Sequence, residues 1–328
     1  MKAVQIHTYG GPEVLETVEI DEPIPNQNEV KIKLYATGLN PSESYTITGE
    51  YAYNKPDLPY TPGYDGAGTI EEVGLDVSKF KIGDRVYLTA FSAERNTGTY
   101  AEKIVVDANN VFALPDNIPF IEGAGLGIPA YTAYKALFLK ARVRAGETVL
   151  IHGASGAVGS LIVQMAKAIG AIVIGTSSTE EGRQLISDLG ADYAMNHISE
   201  ENKEDLSKLT NEKGPDVIVE MLANANLETD SEVVAKYGRI VVVGSRGTID
   251  FTPRNLMTNE ASITGMTFTY PTSDEMQEME HGINAFLKTG VLKPVIGKIF
   301  TLDEPQKAHK ALMESSGDGR TVFLIDRE

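Results

Sequence analysis

The chain predicts an α/β protein, a doubly wound parallel sheet joined to a barrel-like domain of strands and turns. Three observations carry that expectation. The first 120 or so residues are short β-branched runs separated by glycine and proline turns. From near Phe120 strands alternate with helices. At Glu147–Gly170 a buried strand, a glycine turn and an apolar-striped helix follow one another directly.

Taken in order, Lys2–Thr8 and Val14–Ile20 read as strands across the turn Tyr9-Gly10-Gly11-Pro12, and Glu29–Thr37 alternates strongly. Asn40-Pro41 follows as a loop, then strands at Gly68–Val73, Arg85–Ala90 and Tyr100–Val106, with turns at Gly74, Gly83 and Gly98. Glu122–Leu139 reads as helix with a break around Gly127-Ile128-Pro129. Buried strands are expected at Thr148–Ile151, Ala171–Gly175, Asp192–Met195, Asp216–Glu220, Arg239–Val243 and Ser262–Met266. Helices are expected at Glu180–Leu189, from near Glu200 and at Ser273–Thr289. The tail reads strand, helix, strand over Gly297–Leu302, Pro305–Glu314 and Thr321–Ile325, and is expected to return to the first domain. The expected division is 1–121 with 267–328 as the barrel-like domain, and 122–266 as the nucleotide-binding domain.

The glycine turn carries the chemistry. In the usual G-x-G-x-x-G the first position makes the tight turn; here it is Ala154, with Gly153 just before it. Gly156 lets backbone approach a pyrophosphate and Gly159 lets helix and strand pack closely, while the helix start offers free N–H groups to phosphate. Strand, turn and helix in that order point to a Rossmann-type dinucleotide site, the alternative being an ordinary glycine-rich β–α turn. The next strand selects the nucleotide. An NAD site places a carboxylate there, about 20 residues past the glycines. This chain has Thr176-Ser177-Ser178-Thr179 instead, then Glu180 and Arg183. Hydroxyls with an arginine suit a 2′-phosphate, so NADPH is favoured over NADH, and Ser178 or Thr179 also reads as a helix cap.

Composition closes other routes. The chain of 328 residues has no cysteine, which excludes disulfides, thiolate nucleophiles and cysteine-bound metals. A net charge of −17 disfavours nucleic acid and anionic membranes. No leader pattern and no long apolar run is visible, so a cytoplasmic protein is expected. His7 and His152 lie in strand-like runs, His281 and His309 in helical ones, and no two stand at metal-ligand spacing.

This order of parts resembles the medium-chain dehydrogenase/reductase superfamily over essentially the whole length. Four runs resemble its zinc-independent quinone oxidoreductases, the ζ-crystallin-like group: Pro59–Gly63, Glu220–Asn224, Val242–Thr248 and Leu292–Gly297. The resemblance implies a GroES-like barrel as the catalytic domain, with the active site between it and the Rossmann domain. Zinc alcohol dehydrogenases place a cysteine where Gly38-Leu39-Asn40-Pro41 stands and a histidine and glutamate where Pro62-Gly63-Tyr64-Asp65-Gly66 stands, and here Tyr64 and Asp65 occupy that stretch. Those replacements cannot rebuild a tetrahedral zinc site, so no metal is expected. Without a Lewis acid, an acceptor electrophilic in itself is the feasible substrate, and a quinone is one.

The resemblance further implies roles for single residues. Asn40 and Tyr45 are expected beside nicotinamide and substrate, as catalytic and cofactor-binding residues, although Asn40 also reads as a turn residue and Tyr45 as core. Ser155, Gly156, Ala157 and Val158 are expected at the pyrophosphate, and Ser178 and Arg183 at the 2′-phosphate. His197 matches a position near the cofactor or a surface loop. Asn226 is expected on the adenosine half or the nicotinamide ribose, or as a helix cap. Val243, Gly244, Ser245 and Arg246 follow the fifth strand, where cofactors bind, Arg246 alternatively being a solvated surface arginine. Met266, Thr267 and Phe268 are expected to reach the carboxamide through their backbone, Phe268 alternatively packing as core, while Tyr51, Tyr53 and Tyr131 line a pocket or pack as core.

The expected protein is thus an NADPH-dependent quinone reductase working by hydride or single electrons. Alternatives are a reductase of enals and enones, an NADPH sensor with weak turnover, or an RNA-binding protein, the last poor on charge. An edge strand such as Arg239–Val243 or Ser262–Met266 could extend a sheet across a two-fold axis, and a homodimer or homotetramer is expected.

Overall fold

A computed structural model describes residues 1–51, 55–89, 97–196, 202–269, 271–314 and 318–327. The chain divides into two compact units, one comprising Met1–Ile128, Lys293–Ser315 and Gly319–Glu328, the other Pro129–Leu292 and Ser316–Asp318.

The first unit opens with β1 (Lys2–Gln5) paired antiparallel to β2 (Glu16–Glu19). The long strand β3 (Glu29–Gly38) organises the rest of this unit, because Val30, Ile32, Leu34 and Ala36 alternate into the core, all fully buried. Helix α1 (Pro41–Thr48) comes next, then β4 (Asp65–Val73), β5 (Arg85–Thr89), β6 (Lys103–Asp107), β7 (Val111–Ala113) and the single turn α2 (Phe120–Gly123). Strands β4 and β6 both pair antiparallel with β3.

The second unit alternates as expected. Helix α3 (Gly127–Tyr134) straddles its start, followed by β8 (Thr148–Ile151), α4 (Ala157–Ala168), β9 (Ile172–Thr176), α5 (Glu180–Asp188) and β10 (Tyr193–Met195). Then come α6 (Asn202–Leu209), β11 (Val217–Glu220), α7 (Ala223–Val233), β12 (Arg239–Val242), α8 (Arg254–Asn259), β13 (Ser262–Gly265) and α9 (Ser273–Lys288). Its six strands are parallel in the order β10-β9-β8-β11-β12-β13, which reverses between β8 and β11. The chain then returns to the first unit through β14 (Ile296–Phe300), α10 (Pro305–Glu314) and β15 (Arg320–Leu324). Strand β15 pairs antiparallel with β3 and completes a seven-stranded sheet.

Several elements depart from the sequence reading. Residues after Asn40 form a helix, with Pro41 at its first position, where a missing N–H costs nothing, and Gly49 ending it at φ +76°. Helix α3 runs through Pro129 for the same reason, since a proline in the first turn removes no helical bond. Helix α9 belongs with the second unit instead of the barrel, held by Lys135 Nζ to Glu275 at 3.0 Å and by Phe138 stacked on Phe286. Strand β12 is interior to its sheet, whereas β13, like β10 at the other side, lies at an edge. No described helix is long and apolar enough to cross a membrane.

Candidate active site

In the second unit the chain leaves β8 and turns at Gly153, whose φ of +60° lies in the region glycine enters freely. Gly159, in the first turn of α4, is needed for a different reason. A Cβ there would run into Gly153 O and lie 2.7 Å from Ala154 Cα. Gly156 is the extended residue that caps α4, so Ala157 and Val158 begin the helix with N–H groups that have no helical acceptor. Ser155 is buried and donates to Ser177 Oγ at 3.2 Å, while Ala154 N–H reaches Thr176 O at 2.9 Å. The turn is therefore tied to the end of β9.

Beyond β9, Thr179 caps α5, its Oγ1 accepting from Gly182 N at 3.0 Å. Ser178 is half-buried beside it. Arg183 donates to Ser177 O at 3.3 Å and pairs with Glu180, whose side chain is 80% exposed. An exposed pair of this kind is worth about 0–1 kcal/mol, so Arg183 can exchange Glu180 for a phosphate.

The other strand ends of this unit carry the remaining expected residues. The N–H groups of Val243 and Gly244 both donate to Glu220 O, and Gly244 O accepts from Ala223 N. Arg246 N donates to Asn224 Oδ1 at 2.7 Å, its side chain being exposed, and Ser245 Oγ donates to Gly247 O. Met266 N–H extends the ladder to Val242 O at 3.1 Å. Thr267 shares a hydroxyl contact with Thr269 at 2.6 Å, and Phe268 packs on the buried ring of Tyr131 at 5.5 Å. Asn226 is the fourth residue of α7, not its cap, and donates to Glu220 Oε1 at 3.2 Å. His197 and Tyr53 lie outside the described residues.

In the first unit Asn40 is only 4% exposed and its amide is fully engaged. Its Nδ2 donates to Glu43 Oε1 and Asp65 Oδ2, each at 3.0 Å, and its Oδ1 accepts from Arg320 Nη1 at 2.7 Å. Arg320 Nη2 reaches Asp65 Oδ2 at 2.6 Å, an ion pair with both partners buried. Two glycines make room for it. A Cβ on Gly38 would lie 2.5 Å from Arg320 Nε, and one on Gly127 would run into Asp65 Oδ1. Burial pushes the Asp65 carboxyl up, opposed by Arg320 and by the Ile128 N–H. Glu43 accepts from Asn40 N, Asn40 Nδ2, Tyr64 N and Tyr100 OH, yet burial still pushes it up to about 7. Tyr64 OH meets Thr46 Oγ1 at 2.7 Å. Tyr45, on α1, is half-buried with its ring 6.2 Å from Tyr51.

Glu43, His309 and Arg320 were not expected here. Only Glu43 left a trace, the Asn40-x-x-Glu43 spacing of a capping box. His309 joins the network through Ser44 Oγ at 2.9 Å and Tyr100 OH at 3.1 Å, and burial lowers it to about 4. The folded state therefore holds it neutral while the unfolded chain protonates near 6.5. Its contribution is intact above that pH and lost as pH falls toward 4. Glu43 titrates in the same range with the opposite sign, so the check is a difference. His309→Gln should gain about 2–3 kcal/mol relative to the parent between about pH 7.5 and 4.5 in urea unfolding. A difference independent of pH would show that His309 protonates as readily in the folded chain as in the unfolded one.

Comparison with known proteins agrees with this architecture. Residues 26–116 match the family of alcohol dehydrogenase GroES-like domains, and 157–284 match that of zinc-binding dehydrogenases. A quinone oxidoreductase of Homo sapiens is 44% identical over 99% of this chain and 98% of its own length. The crystal structure of a Pseudomonas syringae quinone oxidoreductase is 31% identical with a TM-score of 0.86, covering 98% of this chain and 99% of that one. That of an Escherichia coli quinone oxidoreductase complexed with NADPH is 26% identical, also at 0.86, covering 99% and 100%. The glycine turn, the parallel sheet and full-length identity with named relatives together assign the chain to the quinone oxidoreductase family of the medium-chain dehydrogenases/reductases.

Proposed function

We propose that the protein reduces quinones with NADPH and uses no metal at the acceptor. The observation that carries this is the first unit's buried network. Where zinc alcohol dehydrogenases hold metal ligands, Asn40, Tyr64 and Asp65 are hydrogen-bonded within the protein, and the guanidinium of Arg320 supplies the positive charge. A zinc ion would need several free N or S donors, and these residues offer none.

The second unit's residues fit the phosphorylated coenzyme. Gly153 and Gly159 open the backbone, Ser155–Val158 would take the diphosphate at the start of α4, and Ser178 with Arg183 the 2′-phosphate. Asn226, Val243–Arg246 and Met266–Phe268 would hold the remainder, as would His197. Bound there, NADPH would supply the reducing equivalent. The half-buried ring of Tyr45 is our candidate for the acceptor side, and Asn40, whose donors are both engaged, acts by holding α1 in place. The same proposal has the protein work in the cytoplasm as a homo-oligomer, with the edge strand β13 open to a second copy.

The test follows NADPH absorbance with 1,2- and 1,4-quinones and a short enone, at saturating NADPH with and without chelator. Quinone turnover unchanged by chelator is expected. Turnover with the enone alone would replace this reading by double-bond reduction. Arg183→Ala should raise KM for NADPH by about 10–100-fold, as for a lost hydrogen bond to a charged group, and leave KM for NADH nearly unchanged. Equal changes for both coenzymes would remove Arg183 from the phosphate.

A further inference from the structure

His152 directly follows β8, and Glu220 ends the adjacent parallel strand β11. Ile151 stands opposite Val219, and His152 N–H donates to Val219 O at 3.1 Å, so both side chains leave the sheet at one level. This is the point where the strand order reverses. Helix α7 then brings in Asp230. His152 Nε2 lies 2.8 Å from Asp230 Oδ1 and 3.5 Å from Glu220 Oε2, and one candidate ligand atom from each residue lies within 4.8 Å of the others.

The hydrogen bonding of this cluster is incomplete. Glu220 Oε1 is occupied by Leu222 N and Asn226 Nδ2. Glu220 Oε2 and Asp230 Oδ2 have no hydrogen-bond partner, although their side chains are 0% and 2% exposed. Among the described residues no lysine or arginine pairs with either carboxylate. A carboxylate offers no donor, and the single Nε2–H cannot satisfy two of them. Buried charges are ordinarily paired or coordinate a metal.

We propose that His152, Glu220 and Asp230 form a divalent-cation site, with an imidazole-and-carboxylate ligand set suited to Zn²⁺ or Mn²⁺. Ligands on a common tetrahedral zinc ion, with bonds of about 2.0–2.2 Å, stand roughly 3.3–3.6 Å apart, so the cluster, its ligand atoms within 4.8 Å of one another, closes on an ion with side-chain shifts of about 1 Å. The ion would take Nε2 and one oxygen from each carboxylate and keep water in its open positions. It would join β8, β11 and α7 beside Gly153, remote in sequence from Asn40 and Tyr64. It would therefore act on the stability of the nucleotide-binding unit.

The test uses the full chain, stripped with chelator and dialysed, with Zn²⁺ and Mn²⁺ titrated by calorimetry. One equivalent should bind and raise Tm. Glu220→Gln and Asp230→Asn should each weaken binding by at least about 10–100-fold, the loss caused by even an outer partner of a metal ligand. Pulsed EPR of the wild-type protein with Mn²⁺ should show nitrogen modulation from one histidine, which keeps the test independent of whether the variants fold. No saturable binding, unchanged affinity in both variants, or Mn²⁺ without nitrogen modulation would each overturn the site and leave a proton bridging the carboxylates. Neither result bears on quinone turnover at saturating NADPH, so this proposal and the proposed activity fail separately.

Discussion

Arg320→Met is expected to destabilise the first unit by about 3–5 kcal/mol, measured by urea unfolding. The loss comes less from the attraction removed than from what stays behind. Asp65, fully buried, would keep only the Ile128 N–H at 2.9 Å and Asn40 Nδ2 at 3.0 Å against a full negative charge. Asn40 Oδ1 would lose its donor as well. Asp65→Asn added to Arg320→Met should therefore recover most of the loss, because it removes the stranded charge while keeping the shape. Gly38→Ala should act in the same direction, since its Cβ would run into the backbone carbonyl of Ala124 and lie 2.5 Å from Arg320 Nε. A loss below about 1 kcal/mol for Arg320→Met would show that Asp65 is protonated in the folded chain and that the pair does not organise the site.

This pair also marks where a sequence reading stops. The second unit was legible because its signals are local. A β-branched run, a glycine turn and a helical apolar stripe stand within one stretch, and each names its own conformation. The polar network of the first unit joins positions 40, 43, 65, 100, 309 and 320, and no local pattern links a C-terminal strand to a loop near residue 40. Its only trace in the chain was the capping-box spacing. The cluster of His152, Glu220 and Asp230 hid in the same way, because its members lie on two strands and a helix that meet only through the parallel register. Helix α9 was recognisable as a helix but not by owner. A helix joins whichever unit supplies partners for its buried face, here Lys135 and Phe138. Helix α7 was missed because Ala223-Asn224-Ala225-Asn226 offers almost no apolar stripe.

Gly159→Val should abolish coenzyme binding, with Kd for NADPH raised at least about 100-fold and folding stability lowered by about 1–3 kcal/mol. The effect is steric and runs through the backbone. The added Cβ would run into Gly153 O and press on Ala154 Cα, and a carbonyl and a Cα cannot rotate away as a side chain could. Either α4 moves off β8 or the turn opens. Both displace Ser155 from Ser177 and Ala154 N–H from Thr176 O, so the N–H groups at the start of α4 no longer point where a diphosphate would lie. Two lost hydrogen bonds to phosphate, at about 1.5–3 kcal/mol each, already give the stated factor. Fluorescence titration with NADPH measures it, and far-UV circular dichroism establishes that the variant has folded. A folded variant that still binds NADPH within about threefold of the parent, far less than one lost charged hydrogen bond, would place the diphosphate elsewhere. The assignment of Ser155–Val158 would fall with it.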